Sequence, residues 1–389
     1  MGIYSEYLAK GMSPVELEGE RKVQLQRISV LRGGRDVLVC AANMQRPMKV
    51  PVSITMADLL PINDQLSNLK GEALDVILET PGGSGEAAED IVKLLRSRYK
   101  KIGIIVPGTA KSAGTIIAMA ADEILMEPAS SLGPIDAQIL WQGKVFSAGA
   151  LLDQMEKIKQ EVEATGRLNL AYVPILQGIS PGELQHAQNA LDFARDLVTD
   201  WLAKYKFANW ATRETTGAEV TPEKRRERAK EIAVQLADHS RWKTHGRSIK
   251  IDDLVAMKLR ITDYSQQPDL RDAITRYFTL LQMTFEANVY KIYETPSSQI
   301  MKLEKQEMAI GPPQLAPRQI QKAELAVLCK KCGTQITVHA PFTPNSPAPA
   351  GQIPFPADNK LNCPTCGTQH DLVQARKQLE QQVGRAITV

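Results

Sequence analysis

Two short stretches of sequence decide the fold: ETPGGSG at residues 79–85 and KSAGT at residues 111–115. Each follows an apolar run of strand length, at 74–78 and 102–106, and each opens a stretch with helical character. Successive strand-to-helix turns of a parallel sheet lie side by side at its carboxyl edge, where open α/β folds place their sites. We therefore expect the two stretches to meet and to form the functional site.

The alternation of strands and helices extends around these stretches. A continuous apolar run at 36–42 is typical of a strand covered on both faces, and three strand-then-helix units predict a parallel sheet with right-handed crossovers. A hairpin is expected within 135–145, largely helical structure over 181–237, and one long helix over 270–293. The sequence therefore predicts an α/β protein.

Composition and charge exclude several classes. The chain has 389 residues, of which 43% are hydrophobic and 23% charged, so collagen-like, coiled-coil and wholly disordered proteins are excluded. A net charge of only +3 gives no reason to expect nucleic acid as a partner. No apolar run approaches the roughly 18–20 residues of a membrane span, and no signal-peptide pattern opens the sequence. We therefore expect a cytoplasmic protein without a membrane span.

Ser112 is the candidate nucleophile. One turn supplies the N–H of Gly83, and the other supplies the Ser112 hydroxyl and the N–H of Ala113. A nucleophile flanked by two amide donors is the minimum for acyl transfer through an oxyanion. Taken alone, the glycine turn also fits a phosphate cradle or a plain tight turn, although the glycine spacing of nucleotide-binding loops is missing.

Three motifs, TPGG at 80–83, KSAGT at 111–115 and SLGPID at 131–136, together resemble the ClpP/crotonase superfamily. The order and the residues of these motifs are similar to those of the signal-peptide-peptidase-A-like branch, and most similar to those of the serine dehydrogenase proteinases. The resemblance covers about residues 36–265. It implies a core of stacked ββα units, serine peptidase activity on a peptide or protein substrate, and a homo-oligomer.

Carried over residue by residue, the resemblance makes Ser112 the nucleophile and Gly83 and Ala113 the oxyanion donors. The general base departs from the family pattern. Asp136 stands where the Clp-type peptidase has its histidine, and no lysine stands at 147–149, where the signal-peptide-peptidase-like branch has its basic residue.

Three hypotheses for the base remain. His245 is the first, with Asp136 as the group that orients it, because a triad is defined by geometry and not by order in the chain. A lysine with a lowered pKa is the second, from Lys144, Lys157 or Lys111. The third is that no competent base exists and that the chain is a pseudoenzyme or a binding scaffold.

Two other function classes fit the same fold. An acyl-CoA enzyme also uses paired backbone amides, but it needs no serine at position 112. A non-catalytic oligomeric scaffold would recruit partners through the C-terminal region.

Four of the five cysteines form two CxxC pairs, each followed by glycine: Cys329 with Cys332, and Cys363 with Cys366. Four thiolates in this pattern predict one closed, structural Zn²⁺ site of the zinc-ribbon type. We expect this region to dock a partner, a substrate or nucleic acid, or to brace the oligomer.

These patterns predict the following organisation. It comprises an N-terminal arm (1–35), a peptidase core (36–300) with a helical insertion at about 181–240, a linker (301–322) and a C-terminal four-cysteine zinc-ribbon module (323–389).

Overall fold

The computed structural model describes most of the chain, namely residues 2–45, 50–141, 143–213, 216–304, 320–344 and 346–389. The chain divides into two compact units, Met1–Gln306 and Glu307–Val389.

The described α-helices of the first unit are α1 (Ile3–Lys10), α2 (Pro14–Leu31), α3 (Leu59–Ser67), α4 (Gly85–Arg98), α5 (Ala113–Met119), α6 (Ala148–Thr165), α7 (Val173–Gln177), α8 (Pro181–Trp201), α9 (Pro222–Ala237), α10 (His239–Trp242), α11 (Ile251–Ala256) and α12 (Pro268–Phe285). Its described strands are β1 (Asp36–Ala42), β2 (Ala73–Glu79), β3 (Lys101–Ile105), β4 (Thr109–Ala110), β5 (Glu123–Met126), β6 (Ser131–Leu132), β7 (Gln138–Trp141), β8 (Lys144–Ser147), β9 (Thr262–Asp263), β10 (Val289–Glu294) and β11 (Gln299–Leu303).

Within the described residues, seven strands form the main sheet in the order β11-β10-β1-β2-β3-β5-β9. Strands β1, β2, β3, β5 and β9 are parallel, and β10 pairs antiparallel with β1 and β11. Alternate residues of β1 pack on opposite faces: Leu38 contacts the cluster that contains α4 and α5, while Val37 and Val39 contact the cluster with α2 and α12. A sheet covered on both faces explains the continuous apolar run.

Short strands follow the strands of the main sheet and pair with one another in a separate small layer. β4 follows β3 and precedes α5, and it pairs with β6, which follows β5. Thr80, just after β2, bridges Ala110 in the same small layer. Each repeat of the core therefore consists of a long strand followed by a short extended segment. After β2 and β3, a helix follows that segment. This is the stacked ββα arrangement that the resemblance implies.

The long helix predicted over 270–293 is wrong in its second half. α12 ends at Phe285, and residues 289–294 (VYKIYE) form β10. The β-branched and aromatic residues of this stretch suit a pleated, half-buried surface. Pairing with β1 also covers an edge that would otherwise be open.

Two predicted appendages are parts of the core. Residues 1–35 form α1 and α2, and Leu25 and Ile28 of α2 are fully buried against the sheet and α12. The predicted insertion at 181–240 contains α8, a short π-helix and α9, whose buried residues join the cluster over α4 and α5. Apolar positions of both segments therefore complete the two layers that cover the sheet.

The second unit is small. Its described elements are β12 (Lys322–Leu328), β13 (Gln335–Pro341), β14 (Ile353–Pro354), β15 (Lys360–Asn362), β16 (Gln369–Asp371) and α13 (Val373–Val383). β13 pairs with β12 and β14, β15 pairs with β16, and the core includes Val338, Phe355 and Leu361. Of the predicted linker, residues 305–319 lie outside the described residues.

None of the helices formed by the described residues combines the length and the apolar character that a bilayer crossing requires.

A buried ion pair joins α2 to the sheet. Arg21 and Glu294, at the end of β10, are both fully buried, with Arg21 Nε 3.1 Å from Glu294 Oε2. The Arg21 guanidinium also donates to Thr284 Oγ1 (2.6 Å) and Gln299 Oε1 (2.8 Å). Without Arg21, the buried Glu294 carboxylate would keep the Lys22 ammonium (3.2 Å) and the Tyr277 hydroxyl (3.0 Å) but would lose its fully buried charged partner, which is destabilising.

We therefore expect Arg21→Met to lower the free energy of unfolding of the first unit by about 3 kcal/mol. Arg27→Met, which breaks the exposed pair with Asp272, should cost less than about 1 kcal/mol. Urea titration followed by tryptophan fluorescence measures this unit, because all four tryptophans, at 141, 201, 210 and 242, belong to it. Equal effects of the two variants would contradict the assignment of α2 to the core.

Candidate active site

Ser112 occupies a strained backbone conformation between β4 and α5. Its φ of 49° and ψ of −115° lie in a region that residues with a Cβ rarely adopt. Its side chain does not cap α5, and its hydroxyl makes no hydrogen bond to another described residue. Such strain costs about 1–3 kcal/mol and clusters at active sites.

The helix behind Ser112 offsets this strain. Every residue of α5 is buried, and Ile116 and Ile117 alone contribute about 1.5–3 kcal/mol each on burial. Thr115 fixes the start of the helix, since its hydroxyl lies 2.9 Å from the carbonyl oxygens of Ala110 and Gly133. The small-residue helix predicted from the sequence thus anchors the strained turn.

The glycine turn lies against the serine turn, as expected. Gly82 has a φ of +100°, and a Cβ on it would lie 2.6 Å from both Ser112 Cβ and the Lys111 carbonyl oxygen. Gly83 has a φ of +151°, and a Cβ there would lie 2.3 Å from the Ile54 carbonyl oxygen. Only glycine fits at either position without moving backbone.

The two predicted oxyanion donors are free. Ile54 N–H donates to the Gly82 carbonyl (2.7 Å), and the Ile54 carbonyl accepts from Ser84 N–H (3.0 Å). The N–H of Gly83, between these two residues, is therefore not used in the pairing with Ile54. Among the described residues, no acceptor bonds the N–H of Gly83 or of Ala113. Paired free amides next to a serine hydroxyl are able to bind a developing oxyanion.

A short backbone ladder holds the site segments together. Thr80 N–H donates to the Thr109 carbonyl (2.8 Å), and Lys111 N–H donates to the Thr80 carbonyl (3.0 Å). β4 pairs with β6, and Leu132 and Ile249 exchange two backbone hydrogen bonds of 3.0 Å. Residues 245–249 are therefore fixed beside the segment that leads to Asp136.

The structure brings His245 and Asp136 together. Nδ1 of His245 lies 2.6 Å from Asp136 Oδ1, and Gln138 Nε2 donates to Asp136 Oδ2 at 2.8 Å. The Asp136 side chain is 3% exposed and that of His245 31% exposed. Because the carboxylate holds Nδ1–H, Nε2 is the ring nitrogen left to accept a proton.

Of the three lysines considered as bases, two are exposed on the surface and the third has an ammonium group that is already hydrogen-bonded. Lys144 on β8 and Lys157 on α6 are both exposed, and neither bonds Asp136 or His245. Lys111 Nζ donates to the carbonyl oxygens of Leu132 (3.2 Å) and Arg247 (3.0 Å) and to Ser248 Oγ (2.9 Å). Burial, and next the charge of Lys250, lower the pKa of Lys111 to about 8.

Two contacts at the site were not predicted. Ile54 approaches the glycine turn from a segment with no recognisable motif, and its role is visible only from pairing in space. The three acceptors of Lys111 lie far along the chain, so its position next to Ser112 was the only signal in the sequence.

The four cysteines of the second unit converge. Their sulfur atoms all lie within 4.8 Å of one another, and the Cys329–Cys366 and Cys332–Cys363 Sγ distances are both 3.6 Å. A disulfide needs about 2.05 Å. Tetrahedral Zn²⁺ with bonds of about 2.3 Å separates its sulfurs by about 3.8 Å. The four thiols therefore fit a metal ion and do not form disulfides.

The two knuckles share a local sequence, CGTQ, at 332–335 and 366–369. In each, the threonine hydroxyl lies 3.2 Å from the second cysteine sulfur. These hydroxyl hydrogen bonds, followed by those of the threonine N–H, lower the pKa of Cys332 and lower that of Cys366 to about 6. The second cysteine of each knuckle therefore favours the thiolate form that a metal requires.

Residues 64–177 match the family model of the ClpP-like SDH-type serine proteinases. This segment contains the glycine turn, Ser112 and Asp136, but it excludes His245, and it amounts to less than a third of the chain.

Two uncharacterized proteins of Methanocaldococcus jannaschii are each 44% identical to this chain, over 70 and 66 residues. The aligned parts are 18% and 17% of this chain and 24% and 23% of those proteins. The chain thus spans about a quarter of the length of the curated relatives it matches.

Similar solved structures include a mutant of a membrane-bound stomatin-specific protease, with a TM-score of 0.32 and 14% identity over 55% of this chain and 78% of that chain. A ClpP1 mutant from Listeria monocytogenes gives a TM-score of 0.23 and 17% identity over 41% of this chain and 91% of that chain. The similarity rests on the family model and on the observed ββα topology. The resemblance stated from the sequence is confirmed for residues 64–177, which match the model of the ClpP-like SDH-type serine proteinases.

Proposed function

We propose that this protein is a serine peptidase that cleaves peptide bonds through an acyl-enzyme on Ser112. The observation that carries the proposal is the strained Ser112 turn, whose free hydroxyl lies beside the unpaired N–H groups of Gly83 and Ala113. The family of residues 64–177 supports the same chemistry.

In the first half-reaction, Ser112 Oγ attacks the carbonyl carbon of the peptide bond and His245 Nε2 takes the hydroxyl proton. The negative oxygen that forms is stabilised by the N–H groups of Gly83 and Ala113. The C–N bond then breaks, and the His245 imidazolium gives its proton to the leaving amine. The product is an ester of Ser112.

In the second half-reaction, water replaces the amine. His245 accepts one proton of the water as its oxygen attacks the ester carbon, and the proton passes to Ser112 Oγ as the C–O bond breaks. The carboxylic acid leaves, and Ser112 regains its hydroxyl. Asp136 holds the imidazole by Nδ1 and stabilises its positive charge in both halves; the 2.6 Å contact supports this role.

We further propose that Cys329, Cys332, Cys363 and Cys366 bind one structural Zn²⁺, which would join the two knuckles of a unit with a small core. A closed four-thiolate shell leaves no position for water, so the ion takes no part in hydrolysis. Reduced thiolates suit a cytoplasmic location. We assign the second unit to the docking of a partner and, following the family resemblance, the first unit to a homo-oligomer.

Replacing the nucleophile tests the central step. Ser112→Ala should lower peptide hydrolysis and fluorophosphonate labelling by at least about 10³-fold, because only binding and oxyanion stabilisation remain. The control is Ser13→Ala, which removes the N-cap hydroxyl of α2 and should leave both rates near wild type. Full labelling of a folded Ser112→Ala variant would exclude this serine, and unchanged cellular function would favour the scaffold.

The base is tested by variants and by pH. His245→Ala should lower turnover nearly as much as Ser112→Ala, Asp136→Asn by about 10²–10⁴-fold, and the exposed His186→Ala not at all. A rate that keeps rising beyond about pH 8, together with an active His245→Ala variant, would identify a lysine instead.

The metal is tested by elemental analysis. The purified protein should contain about one zinc per chain, and Cys363→Ser should release it, whereas Cys40→Ser, in β1 of the first unit, should not. Because metal binding is coupled to folding of such a small unit, chelation should open residues 320–389 to limited proteolysis and leave the first unit resistant. A zinc-free protein whose second unit resists the protease would contradict the assignment.

A further inference from the structure

Lys111 contacts two segments that carry separate parts of the proposed site. Its ammonium donates to the Leu132 carbonyl at 3.2 Å, to the Arg247 carbonyl at 3.0 Å and to Ser248 Oγ at 2.9 Å. Leu132 precedes Asp136 in one segment, and Arg247 follows His245 in the other. Lys111 itself immediately precedes Ser112.

The Lys111 side chain has little freedom. Its stem lies on Gly133, where an added Cβ would be 2.6 Å from Lys111 Cδ and 3.2 Å from Lys111 Cα. The ammonium at the end of the stem reaches the carbonyl oxygens of Leu132 and Arg247 and the hydroxyl of Ser248. Three donors meet three acceptors, which satisfies the ammonium fully.

We propose that Lys111 is a positioning residue that fixes the His245–Asp136 pair relative to Ser112. This inference rests on the proposed peptidase function and assigns Lys111 no contact with substrate. The three segments of the site meet at one side chain, so losing it lets the imidazole drift from the serine. A misplacement of about 1 Å is enough to slow a reaction by about 10²-fold.

The same contacts argue against Lys111 as the base. A base must be neutral and free, whereas this ammonium uses all its protons on fixed acceptors. The charged group that acts on it is Lys250, whose own Nζ donates to the carbonyls of Ala129 and Ser130. Among the described residues, no carboxylate bonds Lys111.

Since burial and Lys250 lower the pKa of Lys111 to about 8, the ammonium becomes an amine as the pH rises through that value. The amine has two protons for three acceptors. We expect turnover to decline above about pH 8 in the wild type, and this decline to be absent from Lys111→Met.

The main test measures the rate of fluorophosphonate labelling. Lys111→Met keeps the stem but removes three donors, and it should lower the rate by about 10²-fold. Lys111→Arg should restore part of the loss, because its planar fork keeps the charge but does not match three diverging acceptors. The control is Lys93→Met, which removes an exposed ammonium from α4 and should leave the rate unchanged.

A double-mutant cycle separates positioning from an independent contribution. If Lys111 acts through His245, the variant lacking both should label no more slowly than His245→Ala alone. Losses that multiply would overturn the proposal, as would a Lys111→Met rate equal to that of wild type. Equal thermal unfolding of the variants excludes a general loss of structure.

The proton NMR signal of His245 Nδ1–H gives a readout that does not need activity. It is identified by its loss in His245→Gln, and in Lys111→Met it should broaden or shift toward that of a free imidazole, but remain unchanged in Lys93→Met. An unchanged signal in Lys111→Met would overturn the positioning role. If the wild type neither labels nor hydrolyses while the signal responds as expected, the proposed peptidase function fails and the positioning contact stands.

Discussion

The site depends on one backbone constraint, the positive φ of Ser112. Holding a residue with a Cβ in that region costs free energy, so the surrounding chain must over-determine it. The buried helix α5 holds the turn from one side. Gly82 holds it from the other, because its missing Cβ lets the glycine turn approach the Lys111 carbonyl and Ser112 Cβ.

This close approach also explains why the site is built on two layers of strands. The main sheet contains the strands β2 and β3, and the short segments that follow them pair in the small second layer and carry the candidate site residues. Ile54 and Ile249, from distant parts of the chain, also pair with this layer. The result is a set of backbone amides and side chains held by hydrogen bonds rather than by flexible loops, which is the condition for electrostatic preorganisation.

Most of the central fold and part of the site were readable from the sequence. The strands, the glycine turn and the serine turn have strong local signals, because buried parallel strands are continuously apolar and turns need glycine. The cysteine knuckles are equally local. The stretch 289–294 was misread because helical spacing continued past Phe285, and only pairing with β1 decides for a strand.

The proposed acid–base pair was only partly predictable from the sequence. The chemical character of His245 and Asp136 suggested both residues as candidates. They lie 109 positions apart in the chain, however, and their 2.6 Å contact depends on the pairing of Leu132 with Ile249. The contacts of Lys111 could not be predicted from the sequence, because every residue has a backbone carbonyl and residue type does not show which one accepts. Long-range hydrogen bonds to main-chain atoms are therefore what the sequence did not predict.

The most direct test of this account is a crystal structure of the protein after reaction with a fluorophosphonate. The phosphonyl group should be bonded to Ser112 Oγ, its oxygen should lie within hydrogen-bond distance of the N–H groups of Gly83 and Ala113, and His245 Nε2 should face Ser112. An adduct on another residue, or a phosphonyl oxygen turned away from both amides, would contradict it.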